Sequence, residues 1–364
     1  MDPTETWNAL VEEFRSFGGR AENVIQREGP LGLGLFPIDP CQPVDLMVPK
    51  SLLVHANNVE LRNGAAVIKD DSMFPTGYAD WFSRYQASYS WGAEGEDSVT
   101  RFETGLKNLP SNVGELLQQL NLYRPEHRLT GKTFQDSMLR RFLKSRCLGQ
   151  QGQLLVMPLV ELVNHSPKAT NWEIKPDGSV GFSGLHDGEV LVKYSNADPL
   201  RRLMGYGFNI QEPLGFSLSL KLLHRGELVV VQGGGGRHWF KPPALEQTDK
   251  RLMVQQPLLG CQENPRMPLT LFLSACQRAC RPDGQELFER IHQANTLALM
   301  DLLKRLDAIQ SEIASLLRLG CLNQLTALSH HIGHRPELIP RIDALGTELN
   351  PLKELDEPRD SPAI

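Results

Sequence analysis

Apolar and polar positions alternate over short runs from Val24 to Val54, where "NVIQ", "REGPLGLGLFPIDPCQP" and "VDLMVP" succeed one another. Gly and Pro punctuate each break, which predicts short strands joined by tight turns. Between Ser72 and Gly149 the period lengthens. "YADWFSRYQ", "VTRFETGLKNL", "NVGELLQQLNL" and "TFQDSMLRRFLKSRCL" place apolar residues three and four apart, the spacing of helices with one buried face. Trp81, Phe82, Tyr85 and Tyr89 fall in this helical insert as core candidates. Extended segments return in "QLLVMPLVELV", "WEIKPDGSVGFSG" and "GEVLVKYS". A helix, "PLRRLMGYGF", follows them, and then strands in "FSLSLKLL" and "ELVVVQ".

The glycine-rich run "QGGGGRHWFKPPALEQ", Gln232 to Gln247, reads as a linker beyond which the chain turns helical. "GQELFERIHQANTLALMDLLKRLDAIQSEIASLLRL" carries the strongest period, as one long helix or two, and the polar "NPLKELDEPRDSPAI" reads as a loose tail. The pattern predicts an α+β chain with no internal repeat. Residues 1–215 form a β unit of small sheets interrupted by a helical insert at about 72–149. Residues 216–247 form a strand and linker segment, 248–345 a mainly α-helical C-terminal domain, and 346–364 a flexible tail.

Composition narrows the function classes. Of 364 residues, 40% are hydrophobic and 22% charged, the balance of a soluble globular chain. A formal net charge of −5 supplies no basic field for nucleic acid. The opening "MDPTETWNALVEEF" lacks the basic and apolar regions of a signal peptide, and no apolar run approaches the roughly 20 residues that span a bilayer. A cytoplasmic monomer without membrane attachment is expected. Cys276 and Cys280 would share a helical face, but no second ligand pair accompanies them, so reduced thiols rather than zinc are expected. The "SHHIGH" histidines (His330, His331 and His334) likewise lack carboxylate or thiolate company, and no metal is expected.

The chemistry begins at "VELVNHSPK", where the apolar run "LLVMPLVELV" ends on Asn164 and His165. A buried strand or helix has no packing use for an amide and an imidazole. They are either hydrogen-bonded to the fold or they await a ligand. A second feature is "GPLGLGLFP". It is no dinucleotide fingerprint, because Pro37 stands where the third glycine belongs, and no P-loop, because the Gly-Lys-Ser/Thr ending is missing. It is a tight hairpin turn, or a loop whose glycines let backbone amides approach a ligand.

Together with "GEVLVKYSNADPLRRLMGYGF", these pieces resemble, in order, the SET domain of the Rubisco large-subunit methyltransferase-like kind: a G-x-G-L loop, a D-x-x-N-H-S segment and a GEE…Y…YGF segment. The match covers roughly residues 20 to 212. Glu161 stands where the family's aspartate opens the Asn-His segment, and "YSNADP" departs from the usual Tyr-Gly. No CxCxxxxC cluster follows the domain. The resemblance implies a pseudo-knotted SET β-fold with a helical insert and a helical C-terminal lobe. It implies S-adenosyl-L-methionine as cofactor and methyl transfer to a lysine of a protein substrate.

By the same resemblance Gly32, Leu33 and Gly34 lie against the methionine end of the cofactor. Asn164 and His165 hold its amine and adenine, largely through backbone groups. Arg146 either pairs with the cofactor carboxylate or is a solvated helix-end arginine. Tyr206 is the catalytic tyrosine, also touching the cofactor, and Tyr194 lines the lysine channel. Either tyrosine taken alone would be an ordinary core residue. Two other readings stay open: an inactive SET-like protein-binding module, and a histidine-directed methyltransferase of the same family.

Overall fold

The computed structural model describes residues 3–123, 133–150, 152–234, 240–248 and 251–331. The expected tail at 346–364 and His334 lie outside the described residues. The chain is α+β, with small sheets and a largely helical C-terminal part. It divides into two compact units: residues 1–103 with 125–194, and residues 104–124 with 195–364.

In the first unit the strands are short, some paired in hairpins and others with neighbours distant in sequence. Arg20–Glu22, Val44–Val48, Val180–Gly184 and Glu173–Ile174 lie side by side in one four-stranded antiparallel sheet. Val24–Gly29 and Gly32–Pro37 form a hairpin whose turn is Pro30–Leu31. Val54–His55, Gln153–Val156 and Cys147–Gln150 make a three-stranded sheet. Val59–Arg62 pairs with Ala65–Ile68 through Asn63 and Gly64, both at positive φ (53° and 82°), the backbone an Asn-Gly hairpin turn requires. Asn164–His165 makes a two-residue parallel pair with Leu191–Val192.

The insert is helical as its period predicts, and its first helix, Tyr78–Tyr89, is largely core. Trp81, Phe82 and Tyr85 are buried, while Tyr89 is part-buried and meets the edge of Trp7. The rings of Phe74, Tyr78, Trp81 and Tyr85 stack in series at centroid separations of 5.3 to 5.5 Å. Two of the buried polar tips find backbone acceptors: Tyr78 Oη donates to Leu52 O (2.6 Å) and Trp81 Nε1 to Leu10 O (2.9 Å). The amphipathic N-terminal helix Pro3–Ser16 buries Trp7, Leu10 and Phe14. Its Trp7 Nε1 donates to Val24 O (2.9 Å), which anchors the base of the glycine hairpin.

In the second unit Leu220–His224, Glu227–Gln232, Arg251–Gln255 and Ala244–Thr248 form a four-stranded sheet, and Leu214–Phe216 pairs with Leu258–Cys261. The chain therefore does not turn helical directly after the glycine run. Alternation in "ALEQT" and "RLMVQ" extends the sheet first, and helices begin only at Met267. The long periodic stretch is two helices, Gly284–Leu306 and Glu312–Ser329. Ser311 caps the second by accepting from Ala314 N–H. Helix Ser111–Gln119 belongs to this unit, where Arg305 Nη1 donates to Asn112 O (2.7 Å).

Candidate functional site

The glycine hairpin and the Asn-His strand are brought together. Asn164 Nδ2 donates to Leu33 O at 3.1 Å, across 131 residues of sequence. The same amide donates to Glu189 Oε1 at 2.6 Å. Val190 N–H donates to Leu35 O (2.8 Å), so the segment carrying Glu189 runs along the outer edge of the hairpin. Gly34 is required by this contact. A Cβ there would stand 2.2 Å from Glu189 Oε1 and 2.8 Å from Asn164 Nδ2. Gly32 serves differently. It sits at φ +88°, where L side chains are rarely found, with nothing within 4 Å of a would-be Cβ, so its backbone stands open to a visitor.

The approach to Asn164 is fixed by a buried carboxylate. Glu161 Oε1 accepts from Tyr85 Oη (2.8 Å), Gln86 Nε2 (2.8 Å) and Ser90 Oγ (2.9 Å), all from the helical insert. Burial raises the Glu161 pKa, against the opposing attraction of Arg146 and these three donors. Arg146, at the end of the helix Phe134–Arg146, donates through Nη1 to Glu161 O (3.1 Å) and lies over the Phe142 ring at 4.5 Å. Its guanidinium is thus held beside the segment that leads into the Asn-His strand.

His165 is buried, and its imidazole serves the fold: Nδ1 accepts from Tyr194 N–H (3.1 Å). The Tyr194 ring tilts against His165 at 5.0 Å and stacks on Trp172 at 6.1 Å, with 11° between planes. Its hydroxyl donates to Val163 O, so Tyr194 and His165 together clamp the corner where the parallel pair Asn164–His165/Leu191–Val192 crosses.

Tyr206 lies in the second unit and ends the helix Pro199–Tyr206. Asp198 caps the start of that helix by accepting from Arg201 N–H (2.9 Å). Gly207 closes its end at φ 86°, donating to Leu203 O. Under the Tyr206 ring lies the guanidinium of fully buried Arg202, 4.9 Å from the ring centre. Arg202 is itself held by Glu212 Oε1 (2.7 Å) and Ser195 O (2.8 Å). Beside it, burial raises the Asp198 carboxyl to about 6, against the pull of Arg201.

A scan against protein-family models and a search of curated proteins each return no match. The chain is similar in fold to solved structures of SET-domain enzymes. One is the SET domain of LSMT bound to lysine and AdoHcy: 14% identity, 99% of this chain and 98% of that chain covered, TM-score 0.42. Others are Rubisco LSMT bound to sinefungin and monomethyllysine (14%, 96% and 93%, 0.41) and Rubisco LSMT bound to AdoMet (13%, 95% and 96%, 0.39).

The site residues named from sequence thus divide by unit. Gly32, Leu33, Gly34, Arg146, Asn164, His165 and Tyr194 lie in the first and Tyr206 in the second. Sequence reasoning missed three contributors. Glu189 reads as part of a strand motif, and Trp172 as one apolar residue in an extended segment. Arg202 carries no signal at all, since an arginine on a short helix reads as solvated. No group of histidine, cysteine and carboxylate side chains among the described residues could hold a metal, and no described helix is long and apolar enough to cross a membrane.

Proposed function

We propose that the chain is an S-adenosyl-L-methionine-dependent protein-lysine N-methyltransferase of the SET type, acting as a cytoplasmic monomer on a protein substrate. One observation carries the reading: the Asn164 amide reaches Leu33 O, so two motifs far apart in sequence form one polar surface beside an exposed glycine backbone. The resemblance of three ordered motifs to the SET family supports it.

The residues present fit such a cofactor. Its methionine end needs backbone that can be approached closely and side chains of both charges, and its adenine needs an apolar slot with polar edges. Gly32 and its neighbours Leu33 and Gly34 offer the backbone. Arg146 offers a cation for the carboxylate, and Asn164 and His165 offer backbone groups on a buried strand end. When bound, the cofactor supplies an electrophilic methyl group. The chain's part is to deliver a neutral lysine amine, whose ordinary pKa is about 10.4, through desolvation in a narrow channel. Tyr194 lines that channel and the Tyr206 hydroxyl orients the reacting groups. In this proposal residues 1–215 hold the cofactor, and the helices Met267–Arg278, Gly284–Leu306 and Glu312–Ser329 hold the protein substrate.

The test is incubation of the purified chain with radiolabelled S-adenosyl-L-methionine and a cell lysate, followed by mass spectrometry of labelled peptides. Label on lysine is expected. Cofactor binding without transfer would favour the inactive binding module, and label on histidine would move the target within the same chemistry.

A further inference from the structure

Glu189 is a half-buried carboxylate laid across the glycine hairpin. Oε1 lies over Gly34 and accepts from Asn164 Nδ2 at 2.6 Å. Oε2 lies over Gly29, 3.4 Å from where a Cβ would stand. Both strands of the hairpin therefore carry a glycine under this one carboxylate. No ion pair to Glu189 exists among the described residues. Arg27, opposite Gly34 in the hairpin register, lies instead over the Phe36 ring at 4.2 Å. A carboxylate part-withdrawn from water with an amide but no cation beside it is incompletely compensated, and a cationic ligand group would complete it.

Resting on the function proposed above, we infer that Glu189 is a cofactor-binding residue, and that its carboxylate takes the α-ammonium group of the cofactor's amino-acid end. Two cationic centres occur in S-adenosyl-L-methionine, the ammonium and the sulfonium. Glu189 stands at the Gly32–Gly34 end of the site, where the amino-acid end belongs, and there the ammonium is the group it meets. Asn164 orients the carboxylate through Oε1 and leaves Oε2 to the ligand. Gly34 is then glycine because the carboxylate needs the space a methyl group would take, as well as for backbone approach.

The experiment is calorimetric titration of the full chain and of Glu189→Gln with three ligands. These are S-adenosyl-L-methionine, S-adenosyl-L-homocysteine (ammonium but no sulfonium) and 5′-methylthioadenosine (neither). Glutamine keeps the shape and an acceptor for Asn164 but removes the charge. Losing a charged hydrogen bond weakens binding about 10- to 100-fold, so the first two ligands should lose affinity by that factor together while the third is unchanged. Glu189→Asp, which keeps the charge on a shorter arm, should recover part of the loss. Loss for S-adenosyl-L-methionine alone would place the charge at the sulfonium and overturn the assignment. Equal loss for all three, or a collapsed thermal transition in both variants, would make Glu189 a structural brace and overturn it as well. Unchanged affinities in Glu189→Gln would remove Glu189 from the site yet leave the proposed function standing. Absence of S-adenosyl-L-methionine binding by the unmodified chain would end both.

Discussion

Tyr206 and Asp198 occupy the two ends of one short helix, and each makes a distinct prediction. Tyr206→Phe removes a hydroxyl and keeps the ring over Arg202, so packing and cofactor affinity should change little. A hydroxyl that acts mainly in the transition state shows its loss in rate: single-turnover methylation should fall about 10²–10³-fold with binding preserved. Full activity would remove Tyr206 from the mechanism. Asp198 concerns stability. Its carboxyl is raised from 3.8 to about 6 in the folded chain, so between those values the native state binds the extra proton. Stability contributed by this group is present at low pH and is lost as pH rises through about 6, a change on the order of 3 kcal/mol. Asp198→Asn keeps an acceptor for the Arg201 N–H cap and removes the titration. Denaturant curves from pH 4 to 7 should then show the unmodified chain losing stability relative to the variant as pH rises, and parallel curves would refute the shift.

Elements in this chain are held by specific side chains more than by their own length. A two-residue strand such as Asn164–His165 has almost no intrinsic stability. It stands because Glu161 is bound by three donors from the helical insert on one side, and His165 and Tyr194 clamp the other. The glycine hairpin is likewise set by what crosses it. Gly34→Ala would drive a methyl group into the Glu189 carboxylate, and overpacking of this kind costs about 1–3 kcal/mol. The variant should lower the unfolding midpoint and weaken S-adenosyl-L-methionine binding more than tenfold, roughly 1.4 kcal/mol. Gly114→Ala is the control. It sits inside the helix Ser111–Gln119 with nothing within 4 Å of a new Cβ, and should stabilise by up to about 1 kcal/mol with binding unchanged.

At the scale of the molecule, the two units do not follow chain order. Residues 104–124 lie within the stretch read as an insert of the first unit, yet they group with the C-terminal helices. Gly105 packs against Ile313, and Leu117 is fully buried. A fragment of residues 1–215 would expose the apolar face of Ser111–Gln119, with Val113, Leu116 and Leu117 uncovered. That fragment should aggregate or melt well below the full chain in light scattering and thermal unfolding. A stable monomeric fragment would show that residues 104–124 find other cover.

Much of this protein is legible without coordinates. The helical period of "YADWFSRYQ" and of the long C-terminal stretch, and the polar pair ending an apolar run, follow from local spacing, because the side chains that decide a helix face lie within four residues of each other. The strands "ALEQT" and "RLMVQ" were lost behind the glycine run. "RLMVQ" is placed by pairing with Glu227–Gln232 and the mostly exposed "ALEQT" by pairing with "RLMVQ", partners that local spacing does not name. What tertiary structure alone decided is partnership. That Asn164 would find Leu33 and Glu189, and that Gly34 would need to be bare beneath a carboxylate, are outcomes of chain closure between distant segments. Local periodicity carries the burial of a residue but never the identity of what it is buried against.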